Sequence, residues 1–320
     1  MKARNIIKVL LSAALVFAAT VDCSAQFLNN LKGKLKEAVV EKVSQNSNVA
    51  AAVAQKSGDV KFKNVLYVSA ERGSARSQGT KDAPLRDVQK AISLANDGDV
   101  IRIAEGNYLG NLDRGWLEIK EKYVSLEGGW NNDFTERNPL KYVTRIQPGK
   151  EQAGTIARAA LLIECLKNPD QTIVIDGVFF DLGMMLEYCK ADPSDPRYGC
   201  PEGCETGRVM PVGNPPNKTV RLLGGKVAGR LIVRNCMFLN ASFNGIIMTN
   251  MGGFWEIYNN VFVSNLYASC EITGGLNQQN NAHKSHVDFH HNTVMFSWPT
   301  TKEMESMGYG YRFRNGCDHT

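Results

Sequence analysis

The chain is expected to fold as an all-β solenoid, a parallel β-helix, and three observations carry that expectation. Four segments superpose on one template, their apolar positions alternate with period two, and each reaches a residue suited to a left-handed bend. The segments are IVIDGVFFD from Ile173, LIVRNCMFL from Leu231, WEIYNNVFV from Trp255 and VDFHHNTVM from Val287. Aligned in this way, Gly177, Asn235, Asn259 and His291 share one column, with apolar residues two and four positions before it and three positions after it. A strand turns successive side chains to opposite faces, so those apolar residues share a face that a single coil cannot bury. Stacking coils about 4.8 Å apart makes one continuous core. Gly and Asn tolerate the left-handed backbone best, and His is enriched there.

In chain order, the first 25 residues read as a secretory signal peptide. Lys2, Arg4 and Lys8 precede an apolar run from Val9 to Ala19, and Cys23-Ser24-Ala25 leads to Gln26. The run is too short to span a bilayer comfortably, and no later segment approaches 18 apolar residues, so export without a transmembrane anchor is expected. The destination is periplasmic, cell-surface or secreted. Losing Lys2, Arg4, Lys8 and Asp22 with the leader takes the formal charge from +5 to +3, too mild to imply a nucleic-acid partner. The composition, 43% apolar and 22% charged, argues against disorder and for a sizeable core.

Residues 26–63 follow as an amphipathic helix, with Phe27, Leu28, Leu31, Leu35, Val39 and Val43 at helical spacing, and a linker. From residue 64 to 320 the character is that of the solenoid. The stretch VLYVSAERGSARSQGTKDAPLRDVQKAISLANDGDVIRIAEGNYLG predicts a short strand, a loop, a helix opened by Asp82 and Pro84, and a second strand. The helix is expected to turn Leu85, Val88, Ala91, Ile92 and Ala95 inward. VIRIAEG and YVSLEGG fit the coil template with Gly106 and Gly128 near the bend.

This segment, with VSLEGGWNNDFTERNPLKYVTRIQPG after it, resembles the N-terminal entry of right-handed parallel β-helix proteins of the pectate-lyase-like superfamily, in its exported bacterial branch. The resemblance implies a right-handed solenoid with a capping helix at its start. It does not extend to the local signatures of activity, because neither a vWIDH-like run nor the polygalacturonase set of N-T-D, D-D, G-H-G and R-I-K occurs.

An insertion at about 187–218, rich in Pro, Gly and Cys, interrupts the coils. Seven cysteines follow the leader, an odd number, and export favours oxidation, so Cys189, Cys200 and Cys204 are the disulfide candidates. The loop is expected to shape one wall of a groove.

Outward positions of the repeated strand supply the candidate site. Asp176, Arg234, Tyr258 and His290 stand just before the bend column, and Val174, Ile232, Glu256 and Asp288 two residues earlier, with Glu127 extending the strip. The motif HKSHVDFHHNTV, residues 283–294, therefore separates into core residues Val287 and Phe289, a bend residue His291, and outward His286, Asp288 and His290. Enzymes of the resembled superfamily often use acidic residues with Ca²⁺ to neutralise a uronate carboxylate, and an Arg or Lys as base. Carried onto this chain, that implies calcium at Asp176, Glu256 and Asp288, and Arg234 as base. The alternative is His290 as base with Tyr258 as acid. Asp176, Glu256, Asp288, His286 and Glu127 are the expected substrate-binding residues.

The expected function is polysaccharide lyase-like: binding, and cleavage by β-elimination, of an acidic, uronic-acid-containing polysaccharide. The other expectation is a noncatalytic cell-surface, adhesin-like binding module. NGCDHT stops where a further coil is expected, so the natural protein is expected to be longer.

Overall fold

The computed structural model describes residues 60–109, 117–147, 159–182, 221–241, 243–265, 267–275, 285–295, 297, 309–314 and 317–319. They belong to a compact unit, Val60–Thr320. Expectations for the signal peptide, the amphipathic helix, the Cys-rich insertion with Cys189, Cys200 and Cys204, and His283 fall outside the described residues.

The chain enters through β1 (Val65–Val68) and α1 (Val88–Leu94), then winds coil by coil. The coils are β2 (Val100–Ala104), β3 (Gly106–Tyr108) and β4 (Leu117–Lys120); β5 (Ser125–Trp130), β6 (Thr144–Ile146) and β7 (Ala159–Cys165); and β8 (Thr172–Asp176), β9 (Val178–Asp181) and β10 (Arg221–Val227). There follow β11 (Arg230–Arg234), β12 (Met237–Leu239) and β13 (Asn244–Asn250); β14 (Phe254–Tyr258), β15 (Val261–Val263) and β16 (Ala268–Gly274); and β17 (Ser285–His290), β18 (Thr293–Met295), β19 (Tyr309–Arg314) and β20 (Cys317–His319).

Equivalent strands stack into three parallel sheets: β1-β2-β5-β8-β11-β14-β17-β20, β3-β6-β9-β12-β15-β18 and β4-β7-β10-β13-β16-β19. This is a right-handed parallel β-helix, the handedness that crossovers between parallel strands adopt. The register matches the template: Ile173 pairs with Leu231, Leu231 with Trp255 and Trp255 with Val287. All four are fully buried, as the shared-face argument requires.

The bend column is left-handed throughout, with φ of 69° at Gly177, 53° at Asn235, 53° at Asn259 and 52° at His291. Such a bend turns the chain through a corner at one residue, from the first sheet into the second, and sets the next strand's apolar side chain toward the same core. Phe180, Phe238 and Phe262, three positions after the bend, consequently form a stack with ring centroids 5.3 and 4.9 Å apart. Each buried ring of this kind contributes roughly 1.5–3 kcal/mol of transfer free energy. Polar groups freed by the turn are also satisfied internally. Asn260, buried, accepts from the Cys236 N–H at 3.0 Å and donates to the Val233 carbonyl at 2.9 Å, and Asn292 repeats the pattern one coil on.

Two local expectations differ from the structure. The helix starts at Val88, not near Asp82, with Asp87 as its N-cap accepting from the Lys90 N–H. The reason is that Leu85 is held extended by backbone hydrogen bonds to Tyr67 and Ser69, which a helical residue could not make. All five apolar residues named for the helix face are nonetheless buried. In the second coil the left-handed residue is Gly129 in place of Gly128, beyond a register shift between the Arg102 and Ala104 pairings.

Candidate functional site

The strip just before the bend is assembled by register alone. Arg102 pairs with Glu127, Glu127 with Asp176, Asp176 with Arg234, Arg234 with Tyr258 and Tyr258 with His290. Six outward side chains from six coils thus form one row across the first sheet.

Most of that row is buried, although it lies outside the coil core. Relative exposure is 1% at Asp176, 4% at Arg234, 7% at Tyr258 and 9% at Glu127. Two covers account for this. Arg137, from the loop after β5, reaches back to donate to Asp176 Oδ1 at 2.7 Å and to the Gly128 carbonyl at 3.0 Å, with Glu127 Oε1 3.9 Å away. Val60 and Phe62, just before β1, pack on Val174, Ile232 and Tyr258 in an apolar cluster of their own.

Under these covers runs a chain of charge-assisted hydrogen bonds. Arg102 Nε donates to Glu127 Oε2 at 2.9 Å, and Trp130 Nε1 donates to the same oxygen at 3.2 Å. Arg234 Nε donates to Asp176 Oδ2 at 2.7 Å, Asn235 Nδ2 donates to Asp176 Oδ1 at 2.9 Å, and Arg234 Nη1 donates to the Tyr258 hydroxyl at 2.9 Å. Burial works to neutralise Asp176, but Arg137 and Arg234, with Asn235, outweigh it and hold the carboxyl below its usual range. Burial likewise opposes the charged Arg234, and the Asp176 carboxylate and Tyr258 hydroxyl outweigh it, so the guanidinium keeps its proton more firmly than a solvated one.

These surroundings bear on two of the expected roles. A proton-abstracting Arg234 requires an environment that weakens its hold on the proton, and Asp176 does the opposite. The calcium set of Asp176, Glu256 and Asp288 does not converge. Asp176 spends both oxygens on Arg137, Arg234 and Asn235, whereas Glu256 lies in another row and pairs with Arg230 at 2.6 Å. Among the described residues no group of three His, Cys, Asp or Glu side chains is arranged to hold a metal ion.

The strip opens to solvent at its two ends, at Arg102 in the first coil and at His290 in the last, whose side chains are each 31% exposed. His290 stacks on Tyr258 with centroids 4.9 Å apart, its Nε2 lies 3.6 Å from Asp288 Oδ2, and its Nδ1 is 2.6 Å from His291 Nδ1. His286 stacks on Phe254 at 4.8 Å. The structure thus brings His290 together with Tyr258 and Asp288, while His286 and Glu256 belong to separate local pairs. Arg102, Arg137 and Arg230, which complete these pairs, were not among the expected site residues.

Sequence reasoning also missed the outer face of the third sheet. Among the described residues, β7, β10, β13 and β16 carry a cleft of about 500 Å³ lined by Leu162, Glu164, Arg221, Lys226, Thr249 and Thr273, among others. Glu164, Lys226, Thr249 and Thr273 form one row by register. At about 4.8 Å per strand the row spans about 14 Å along the solenoid axis. Neither Glu164 nor Lys226 makes an ion pair among the described residues, unlike the charged groups of the first sheet. Cys165 and Cys236 are buried thiols without a disulfide bond. Among the described residues no helix is long and apolar enough to cross a membrane.

Residues 72–145 match a family described as a protein of unknown function, DUF1565. No curated protein matches the chain. Among solved structures, a crystal structure of a pectin methylesterase mutant in complex with a hexasaccharide is similar at a TM-score of 0.32 and 10% identity, covering 79% of this chain and 71% of that one.

Proposed function

We propose that this chain is an exported β-helix protein that binds an acidic polysaccharide in the cleft on the outer face of the third sheet. The observation that carries the reading is the cleft itself. It crosses four strands, it sets Lys226 and Glu164 in one row with the hydroxyls of Thr249 and Thr273, and among the described residues neither charged group makes an ion pair. A sugar polymer laid along the axis would meet a new strand about every 4.8 Å. The leader-like start, with its basic residues and apolar run, supports export.

Cleavage by β-elimination is the reaction such a site would serve. A base takes the proton next to the uronate carboxylate, a carbon–carbon double bond forms, the bond to the glycosidic oxygen breaks, and that oxygen leaves with a proton. Lys226 is the cleft group placed in the role of the base in this reading. The second reading, a noncatalytic surface module, draws support from the first sheet, where Asp176 and Arg234 are committed to each other as scaffold.

A screen of uronic-acid polymers for binding and for new unsaturated ends, with and without calcium, tests both. Binding that K226A weakens, together with unsaturated ends, supports the lyase. Binding without unsaturated ends supports the module, and absence of both sinks the polysaccharide reading.

A further inference from the structure

We infer that the cleft takes a polysaccharide in which uronate and uncharged sugars alternate, with uronates opposite Lys120 and Lys226 and an uncharged ring opposite Glu164; this rests on the reading of the cleft as a polysaccharide site. The row that lines the cleft continues onto β4, where Lys120 is the register partner of Glu164. From β4 to β16 it therefore reads Lys120, Glu164, Lys226, Thr249, Thr273: a cation, an anion, a cation and two hydroxyls.

None of these five side chains makes a hydrogen bond or an ion pair among the described residues, although Glu164 has a lysine beside it on both neighbouring strands. In the first sheet the corresponding charged row closes on itself, Arg102 onto Glu127 and Arg234 onto Asp176. Exposed cross-strand ion pairs are weak, so even a lysine that swings onto Glu164 yields to a ligand at little cost. Leu162 and Ile247, in the outward row beside this one, give the cleft an apolar floor against which the face of a sugar ring can lie.

Strand spacing turns the row into a ruler. Successive strands are about 4.8 Å apart, and an extended pyranose chain advances by close to that length per ring, so consecutive rings meet consecutive strands. Lys120 and Lys226, two strands apart, then stand about 10 Å from each other and face every second ring. The ring between them faces Glu164, a carboxylate that accepts from hydroxyl or amide N–H groups and repels another carboxylate. A homopolymer of uronates puts a charge on that ring whichever way it is turned, close enough to be felt within a screening length of about 8 Å. An alternating polymer puts none there and offers its carboxylates at the lysine positions. The ring opposite Lys226 is a uronate in either role of that lysine, pairing the carboxylate or taking the proton next to it.

The test uses the full chain and two probes of equal ring number, by titration calorimetry at fixed ionic strength. One probe is a hyaluronan oligosaccharide, in which glucuronate alternates with N-acetylglucosamine, and the other is an oligogalacturonate. The expected result is that wild type binds the alternating probe more tightly, although the other carries twice the charge. E164Q keeps the size of the side chain and removes its charge; it should raise oligogalacturonate affinity by about fivefold and change that of the alternating probe by less than about twofold. K120A should weaken the alternating probe by about fivefold and leave thermal unfolding unchanged, because Lys120 is exposed. An unchanged ratio between the probes in E164Q, undiminished binding of the alternating probe in K120A, or a wild-type preference for oligogalacturonate each overturns the inference and leaves the cleft reading intact. Failure of the wild type to bind either probe overturns both.

Discussion

Replacing Asp176 with asparagine tests whether the first-sheet row is a buried scaffold. The carboxylate accepts from Arg137, Arg234 and Asn235 at 2.7–2.9 Å, and the Asp176 and Arg234 side chains are 2% and 5% exposed. Removing its charge takes the nearest carboxylate from two guanidinium groups, the almost fully buried Arg234 and Arg137, whose other carboxylate neighbour, Glu127 Oε1, is 3.9 Å away. Breaking a buried pair from one side costs about 3–5 kcal/mol, mainly because the surviving charge is left unpaired. The double variant D176L/R234M removes both charges and should be less destabilised than D176N. Because a solenoid's stability is a sum over neighbouring coils, the loss should be concentrated in the coils of β8, β11 and β14. Equilibrium urea unfolding at neutral pH reads the effect as a shift in midpoint.

The same variant carries a pH signature. Asp176 has its folded pKa depressed below the ordinary carboxylate value, so its contribution is present above that value and is lost as pH falls through the folded pKa. D176N should therefore flatten the acid limb of the stability curve. A D176N midpoint shift equivalent to less than about 1 kcal/mol, with an unchanged acid limb, would mean the network is solvated and would refute the scaffold reasoning.

Two further outcomes follow from the bends and the thiols. At Asn259, with φ of 53°, alanine should cost about 1–2 kcal/mol and glycine much less, while H291N should be nearly neutral because asparagine holds that place in the two preceding coils; unfolding midpoints of the three variants check this. Burial pushes the Cys165 and Cys236 thiols up to about 12, so neither should be alkylated at pH 8 until denaturant exposes it. Rapid labelling of the native protein at Cys236, read by mass spectrometry, would contradict its placement in the core.

The coil template was legible in the amino-acid order because each of its rules is local. Period-two alternation placed Ile173, Leu231, Trp255 and Val287 on one buried face, and the left-handed bend chose Gly177, Asn235, Asn259 and His291. Once bends align, neighbouring strands pair in register, so the row from Glu127 to His290 could be written down before any coordinates. The helix start was not legible, because the extended state of Leu85 is fixed by Tyr67 and Ser69, residues distant in sequence.

The sequence by itself determined the repeat, its register and its outward rows, since these depend on neighbours one and two positions away. Only the tertiary structure decided which outward row is open. Arg137 and the Val60–Phe62 segment cover the row around Asp176 and Arg234, turning charged residues that looked solvent-facing into an internal salt-bridge chain. In the third sheet, Arg221 and Lys226 stand beside Gly224 and Gly225 in RLLGGKV, a strand with little alternation to announce it. Its cleft exists because β7, β10, β13 and β16, separated by loops of unequal length, are brought side by side, and no local rule encodes what lies on the neighbouring coil.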